Sequence, residues 1–577
     1  MPTKSVAEII IDTLQAAGVK RVYGLVGDSL NGLTDVLRTR EGIEFVQVRH
    51  EEAGAFAAGA EAHVTGQLAV CAGSCGPGNT HLINGLFDCH RSRMPVLALA
   101  AQIPSIEIGT GYFQETHPER LFQECSHYCE VIATPEQAVR MVEGAIQASL
   151  GLGGVSVLVI PGDVSRLKAE APEPRLPALG HSSAVVPAKD KIAQAAQLLN
   201  ECEKVTILAG IGCDSAHAEL LQAAQALQAP VVHALRGKEC VEPNNPYDVG
   251  LTGLLGMPAG YHALMDADAV LMLGTDFPYR QFFPENARVV QIDKNATHIG
   301  RRTRVEVGLH GTVIETLTQL LPHLRARPDA AHLEKAQQRH RDDDAHLAEL
   351  ATGKAGDTSL HPPHVARLLN ELATDNAIFT CDVGTPTIWA ARYLRMNGHR
   401  RLIGSFIHGS MAGALSQAIG IQMACPDRQV IAMCGDGGFA MLLSELLTLR
   451  QLKKQLPIKV IIFNNSAYGF VELEMKAAGT LEYGTELDNP DFGQLAEAAG
   501  IKGLRVSDPA NLEAVLREAL AHDGPVIVDA VVKRQELSMP PHIEAAQAEG
   551  FSLYALKAIM DGRGGELLEM AKTNLFR

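Results

Sequence analysis

The sequence predicts an α/β protein of three doubly wound parallel-sheet domains followed by an amphipathic C-terminal tail. Three observations carry this prediction. Short apolar runs alternate with helical stretches along most of the chain, which places parallel strands between layers of helices. The alternation is broken by a proline- and alanine-rich stretch, "KAEAPEPRLPALGHSSAVVPAKD" (168–190), and again by the charged stretch "EKAQQRHRDDDAHLAELATGKAGDTSLHPPH". Finally, 577 residues exceed what one hydrophobic core sustains, about 250–300 residues.

In chain order, "MPTKSVAEIIIDTLQAAGVKR" reads as an amphipathic helix. It lacks the apolar core and cleavage site of a signal peptide, so a cytoplasmic protein is expected. The first third then carries the strand-like runs "RVYGLVG", "EFVQVRH", "QLAVCAG" and "VLALAA", each leading into a helical stretch. A second set follows the proline-rich linker: "KVTILAG", "APVVHAL", "AVLMLGTD" and "RVVQIDKN". The third set is "AIFTCDVG", "QVIAMCGDGGFAM", "KVIIFNN" and "GPVIVDAVV". Domains are accordingly expected at 1–183, 184–335 and 336–535, with a tail over 536–577. In that tail Leu556, Ile559, Met560, Leu567, Met570 and Ala571 keep close to a helical repeat, interrupted by Gly562, Gly564 and Gly565.

Composition narrows the function. A net charge of −16 argues against a nucleic-acid partner. No run of about 18 apolar residues is present to span a bilayer as a helix. The eleven cysteines are odd in number and scattered. The pairs Cys71/Cys75 and Cys125/Cys129, the latter around His127, lack the CxxC spacing of a zinc site and read as free thiols.

The strongest motif is "GDGG", Gly435 to Gly438, which the double asparagine Asn464–Asn465 follows after another apolar strand. Both sit where a strand ends, and open parallel sheets bind ligands beyond the carboxyl ends of their strands. Glycines let the backbone approach a phosphate, while Asp436 and Asn465 offer the hard oxygens that Mg²⁺ prefers. The second motif is "VRHEEAGAFAAGAEAH", where a strand ends and an Ala/Gly-rich helix begins with Glu51 and Glu52. Acidic residues in a first turn suit the helix dipole without any further role. "CAGSCGPGNTH" adds a tight Gly-Pro-Gly turn before a helix. In the middle third, Gly210 and Gly212 between strand and helix form a partial dinucleotide pattern, with Ser215 in place of a third glycine.

Together the GDGG–NN pair and the Glu51 setting resemble the thiamine-diphosphate (ThDP) enzyme superfamily. The resemblance implies an aminopyrimidine-binding first domain, a middle domain and a diphosphate-binding third domain. It implies that Asp436, Asn465 and the main-chain carbonyl of Ala467 hold Mg²⁺. Gly409, Ser410 and Met411 in "HGSM" would border the cofactor, with Gly437, Gly438, Ser466, Tyr468, Gly469, Phe470 and Val471 completing its cradle. Glu51 would hydrogen-bond the aminopyrimidine ring and promote its imino tautomer. In this superfamily the glutamate and the diphosphate cradle come from different subunits, so at least a dimer is implied, with a dimer of dimers expected.

Within the superfamily, "AGSCGPGNTHLINGLFDCH", "GYFQETHPERLF", "VVHALRGKE", "FTCDVGTPTIWAARY" and "FSLYALKAI" are similar to the bacterial pyruvate:quinone oxidoreductases. That likeness implies FAD held by Thr252, Gly253, Leu254 and Leu255, by Thr275, Asp276, Phe277, Pro278 and Tyr279, and by Asp293. It implies oxidative decarboxylation of pyruvate to acetate, with electrons passing through FAD to ubiquinone. Phe113 and Gln114 would line the site, Phe470 would assist electron transfer, and Glu474 is a further carry-over. The tail would meet a phospholipid surface reversibly, at the cytoplasmic face of the inner membrane. Rival readings are an oxygen-using pyruvate oxidase forming acetyl phosphate, an acetolactate synthase, and a catalytically silent lipid-binding homologue.

Overall fold

The computed structural model describes residues 3–176, 184–352, 358–534, 536, 541, 545–561 and 563–574. The apolar runs become strands of three six-stranded parallel sheets, each flanked by helices. Central strands such as Val96–Gln102 and Val155–Pro161 are buried at every position, as expected where helices cover both faces. With strands numbered in chain order within each sheet, the first and third sheets share the order 2-1-3-4-6-5. The middle sheet runs 3-2-1-4-5-6, the order of dinucleotide-binding sheets.

The expected linker and the expected boundary at 335/336 both meet regular structure. Lys168–Glu170, the first residues of the expected linker, pair antiparallel with Thr3–Ser5 and so belong to the first domain. Residues 177–183, and with them the expected boundary at 183/184, lie outside the described residues. The expected boundary at 335/336 lies within the helix Ala331–Thr352. That helix packs on Pro258–Met265 of the middle domain and on Pro362–Leu372 of the third. Its Asp343 accepts the Ala259 N–H at 2.8 Å.

The first and third domains meet along two helices rich in small residues. Glu51–Thr65 crosses Gly413–Ala424 so closely that a Cβ on Gly420 would collide with the Ala57 carbonyl. The Ala/Gly run read in the sequence therefore serves an interhelical contact.

The tail forms two helices, Ala545–Met560 and Gly564–Asn574, rather than one interrupted repeat. The glycines act as punctuation: Gly564 opens the second helix, while Gly562 lies outside the described residues. The first helix lies on Gly469–Ala477. A Cβ on Gly550 would collide with the Ala477 carbonyl there. Tyr554 is buried and donates its hydroxyl to Glu482 at 2.8 Å. Lys557 Nζ donates to the Gly479 carbonyl at 2.8 Å, and Arg563 pairs with Glu482 at 2.9 Å. The opposite side leaves Leu556, Ile559 and Met560 exposed, Met560 by 88%. No helix among the described residues is long and apolar enough to cross a membrane.

Candidate active site

The third sheet places the GDGG and NN motifs side by side. Gly435 ends one strand and pairs in register with Phe463 of the next, so Asp436 and Asn465 emerge together at the carboxyl edge. Asp436 is buried and accepts the Asn489 amide at 2.8 Å and its neighbour Gly437 N–H at 2.9 Å. Burial raises its carboxyl to about 6, and the hydrogen bonds opposing that rise come from Gly437, Ser466 and Asn489, all neutral. Asn465 Oδ1 accepts the Ala467 N–H at 3.2 Å, folding the loop so that the buried Ala467 lies beside it. Ser466 adopts the left-handed region (φ 54°) to make this turn. The Tyr468 ring closes over Gly437, where a Cβ would stand 2.5 Å from it. A buried carboxyl group, an amide oxygen and a main-chain carbonyl form a donor set that fits Mg²⁺.

Above this cradle, Asp382 at the end of the strand Ile378–Cys381 accepts the N–H groups of Ala414 at 2.9 Å and Gly435 at 3.1 Å. It thereby ties the start of Gly413–Ala424 to the GDGG turn. The "HGSM" segment precedes that helix, and Gly409 (φ 85°) has open space on the side where a Cβ would stand. Ala412 takes the left-handed conformation (φ 64°) and packs with Ala53 and Phe56 of the Glu51 helix. Open space at Gly409, on the segment that leads into the helix tied to the GDGG turn, fits a bound cofactor.

Glu51 begins the helix Glu51–Thr65 and is 3% exposed. Its Oε2 lies 2.9 Å from His81 Nδ1. Its Oε1 faces Gly78 of the Gly-Pro-Gly turn, where a Cβ would stand 3.0 Å away. Asn84 donates to Glu52 at 2.7 Å and to Ser410 Oγ at 2.9 Å, and its Oδ1 lies 2.9 Å from His408 Nε2. Glu445, fully buried on the third domain, accepts the Arg49 N–H at 3.0 Å just before the helix. Burial raises the Glu445 carboxyl to about 7.

Other expected residues are spread more widely. Gln114 (φ 62°) packs against Gly76 and accepts the Cys75 thiol at 3.4 Å, so it shares the Gly-Pro-Gly loop with Glu51. Phe113 is 78% exposed. Phe470 packs against the core of the third sheet, and Val471 is exposed. A Cβ on Gly469 would stand 2.6 Å from the Asn465 amide nitrogen. Glu474 is exposed, whereas Glu472 on the same helix is buried and bound by Thr485 at 3.0 Å and by Arg534. Cys71, Cys75 and Cys125 are buried free thiols, and no metal-ligand cluster among the described residues includes them.

In the middle domain the flavin-assigned residues gather at the carboxyl edge of the sheet. Thr252 to Leu255 follow the strand Asp248–Leu251, Thr275 to Tyr279 follow Ala269–Leu273, and Asp293 ends Arg288–Asp293. Thr252 Oγ1 is buried without a hydrogen-bond partner among the described residues. Gly253 (φ 95°) lies against the Phe277 ring, Leu254 is exposed, and the Leu255 carbonyl accepts Arg392 Nε at 3.1 Å. Asp276 is held by Arg302 at 3.1 Å, and buried Asp293 accepts the Asn295 N–H at 2.8 Å. Gly210 and Gly212 pack against Gly274 and Thr275, so these glycines serve loop–loop approach at the switch point. An orphaned hydroxyl and a strand-end carboxylate at this edge fit a dinucleotide.

Sequence reasoning missed Asp382, His81, Asn84, Glu445 and Asn489. Asp382 carried one available signal, an aspartate directly after an apolar strand, as Asp436 is. The others depend on contacts between segments far apart in the chain.

These features define a three-domain α/β protein with a glycine-rich cradle on the third domain and a buried carboxylate, Glu51, on the first. Family models for the thiamine pyrophosphate enzyme match in the same order: the N-terminal TPP binding domain over residues 4–121, the central domain over 192–320, and the C-terminal TPP binding domain over 382–530. The chain belongs to the thiamine pyrophosphate enzyme family. It is 30% identical to the pyruvate oxidase of Lactiplantibacillus plantarum over 532 residues, 91% of this chain and 88% of that one. It is likewise 30% identical to the acetolactate synthase of Mycobacterium bovis over 544 residues, with 91% and 88% covered. An uncharacterized 42.6 kDa protein of Pseudomonas amyloderamosa is 57% identical over 355 residues, 61% of this chain and 89% of that protein.

Proposed function

We propose that this protein converts pyruvate and water to acetate and CO₂ using thiamine diphosphate with Mg²⁺, and passes two electrons through FAD to ubiquinone at a phospholipid surface. The observation that supports the redox reading is the 3-2-1-4-5-6 middle sheet, with Thr252, Thr275 and Asp293 along its carboxyl edge. Thiamine diphosphate would supply the electron sink for decarboxylation, and FAD the acceptor of the electron pair. Of the chain's own residues, Asp436, Asn465 and Ala467 would hold the metal, Gly409 to Met411 would border the cofactor, and Glu51 would exchange a proton with its ring. Phe113, Gln114 and Phe470 shape the pyruvate side of the site, and Glu474 is a further candidate there.

The membrane part of the reading rests on the tail. Its first helix uses one side to dock on Gly469–Ala477 and leaves Leu556, Ile559 and Met560 to solvent. An apolar stripe of this kind suits the interface of a bilayer once the helix is released. The charge pattern is mixed, with Lys557 and Arg563 against Asp561, Glu566 and Glu569. The Lys572 side chain and Arg577 lie outside the described residues.

The decisive measurement is the visible spectrum of the purified holoenzyme under anaerobic conditions. Pyruvate should bleach a flavin band, and one acetate should form per two electrons delivered to a quinone. A spectrum without flavin, or a flavin that pyruvate leaves oxidised, overturns the redox reading. Acetolactate or acetyl phosphate as product would assign the chain to the corresponding rival.

A further inference from the structure

Glu51 has to exchange protons during turnover, yet its side chain is only 4% exposed. Its single side-chain hydrogen-bond partner among the described residues is His81 Nδ1, 2.9 Å from Oε2. The His81 side chain is 45% exposed, and its Nε2 has no partner among the described residues. One ring therefore touches the buried carboxylate with one nitrogen and is open to water on the other side.

Its neighbours hold it in that bridging position. His81 lies on the helix Pro77–Arg91, which opens from the Gly-Pro-Gly turn. The ring stacks on His50 at a centroid distance of 4.3 Å and an interplanar angle of 24°. His50 Nδ1 accepts the Glu52 N–H at 3.2 Å, which fixes that ring as the cap of the Glu51 helix. Burial and the adjacent His81 hold the His50 imidazolium unfavourable, so the stack does not place a second cation on His81. The two oxygens of Glu51 face different surroundings. Oε1 lies against Gly78, where a Cβ would stand 3.0 Å away, while Oε2 belongs to His81.

We infer that His81 is a proton relay acting through Glu51, connecting the buried carboxyl to solvent. The inference rests on the reading of Glu51 as the proton-exchanging group. When Glu51 releases its proton, the Oε2–H bond breaks and Nδ1–H forms, while Nε2–H breaks and the proton joins a water molecule. The imidazole stays neutral with its tautomer exchanged, and transfer in the opposite direction restores it. A metal held by His50, Glu51 and His81 is the competing use of this cluster. The near-parallel stack argues against it, because the lone pairs of two stacked rings do not converge on one ion.

The test is deuterium exchange at C2 of bound thiamine diphosphate, followed in the holoenzyme by acid quench and NMR. His81→Ala should slow exchange by about 10²-fold, the lower range for a general acid–base group. Added imidazole should restore the rate in proportion to its concentration. His81→Gln, which can keep a hydrogen bond to Glu51, should stay slow at unchanged cofactor affinity. Unchanged exchange in both variants overturns the relay. So does a loss that imidazole does not restore and that follows weakened cofactor binding, because that is a structural role. Glu51→Gln separates the two levels: if it exchanges at the wild-type rate, the reading of Glu51 itself fails. If Glu51→Gln blocks exchange and the His81 variants do not, only the relay fails.

Discussion

At Gly78 a single methyl group decides how much room Glu51 has. A Cβ there would stand 3.0 Å from Glu51 Oε1 and 2.7 Å from Ser74 Oγ, so Gly78→Ala crowds the carboxylate at the cost of about 1–3 kcal/mol of overpacking. The expected result is a fall in kcat of about 10- to 100-fold with flavin content unchanged, read by steady-state kinetics and absorbance. Asp436 makes a different prediction. Under the proposed assignment Asp436→Asn would remove the one negative metal ligand, and thiamine diphosphate affinity should drop by more than about tenfold, since even outer-shell partners tune metal sites on that scale. EDTA should do the same to the wild type. The only tryptophan, Trp389, sits on the helix that follows Asp382, so its fluorescence can report the titration. Glu445 supplies a pH dependence. Its folded-state carboxyl is raised from 4.5 to about 7 by burial, so the native state holds a proton that the unfolded chain has lost. Stability should therefore fall as pH rises from about 4.5 to about 7, by at most about 3 kcal/mol from this group, and level off above that. Glu445→Gln should flatten this part of the profile in urea unfolding measured across that range.

The tail helix and the helix beneath it make an element whose docking depends on one missing side chain. Gly550 lies directly on the Ala477 carbonyl, and Gly550→Val should lift Ala545–Met560 from Gly469–Ala477, weakening the contact by about 1–3 kcal/mol. Liposome binding without pyruvate and faster proteolysis of the tail are the expected outcomes. A variant that keeps both at wild-type levels would show that the tail does not leave the body in order to bind lipid. How far such elements could be read from sequence depended on burial. The strands that form the middle of the third sheet, such as Val430–Gly435 and Lys459–Asn464, are continuous apolar runs and stood out. Edge strands such as Lys502–Val506, Val307–His310 and Tyr128–Val131 carry mixed or alternating exposure and did not. The same logic applies to the site. Asp436 and Asn465 sit in local motifs beside strand ends, whereas Asn84, Glu445 and His81 owe their roles to segments that meet only after folding. The tail's two-helix form escaped because the apolar periodicity runs from Leu556 on to Met570, whereas the first helix ends at Met560 and the second opens at Gly564.

At the level of the whole molecule, the helix crossing at Ala57 and Gly420 joins the glutamate domain to the cradle domain within one chain. Whether Glu51 serves its own cradle or a partner's can be read from mixed oligomers. Co-expression of Glu51→Gln with Asp436→Asn should restore about a quarter of wild-type activity if sites are shared between two chains, since half the dimers are mixed and each has one intact site. Complete inactivity of the mixture would place both groups in the same chain. One feature of the architecture bears on how such a site arose. The first and third sheets have the same strand order, 2-1-3-4-6-5, and each holds its polar groups at the same carboxyl edge. Identical topology twice in one chain is the pattern left by duplication of an ancestral gene segment. Under the proposed function, the two like edges would take a single cofactor from its two ends, the third domain at the charged end and the first at the ring.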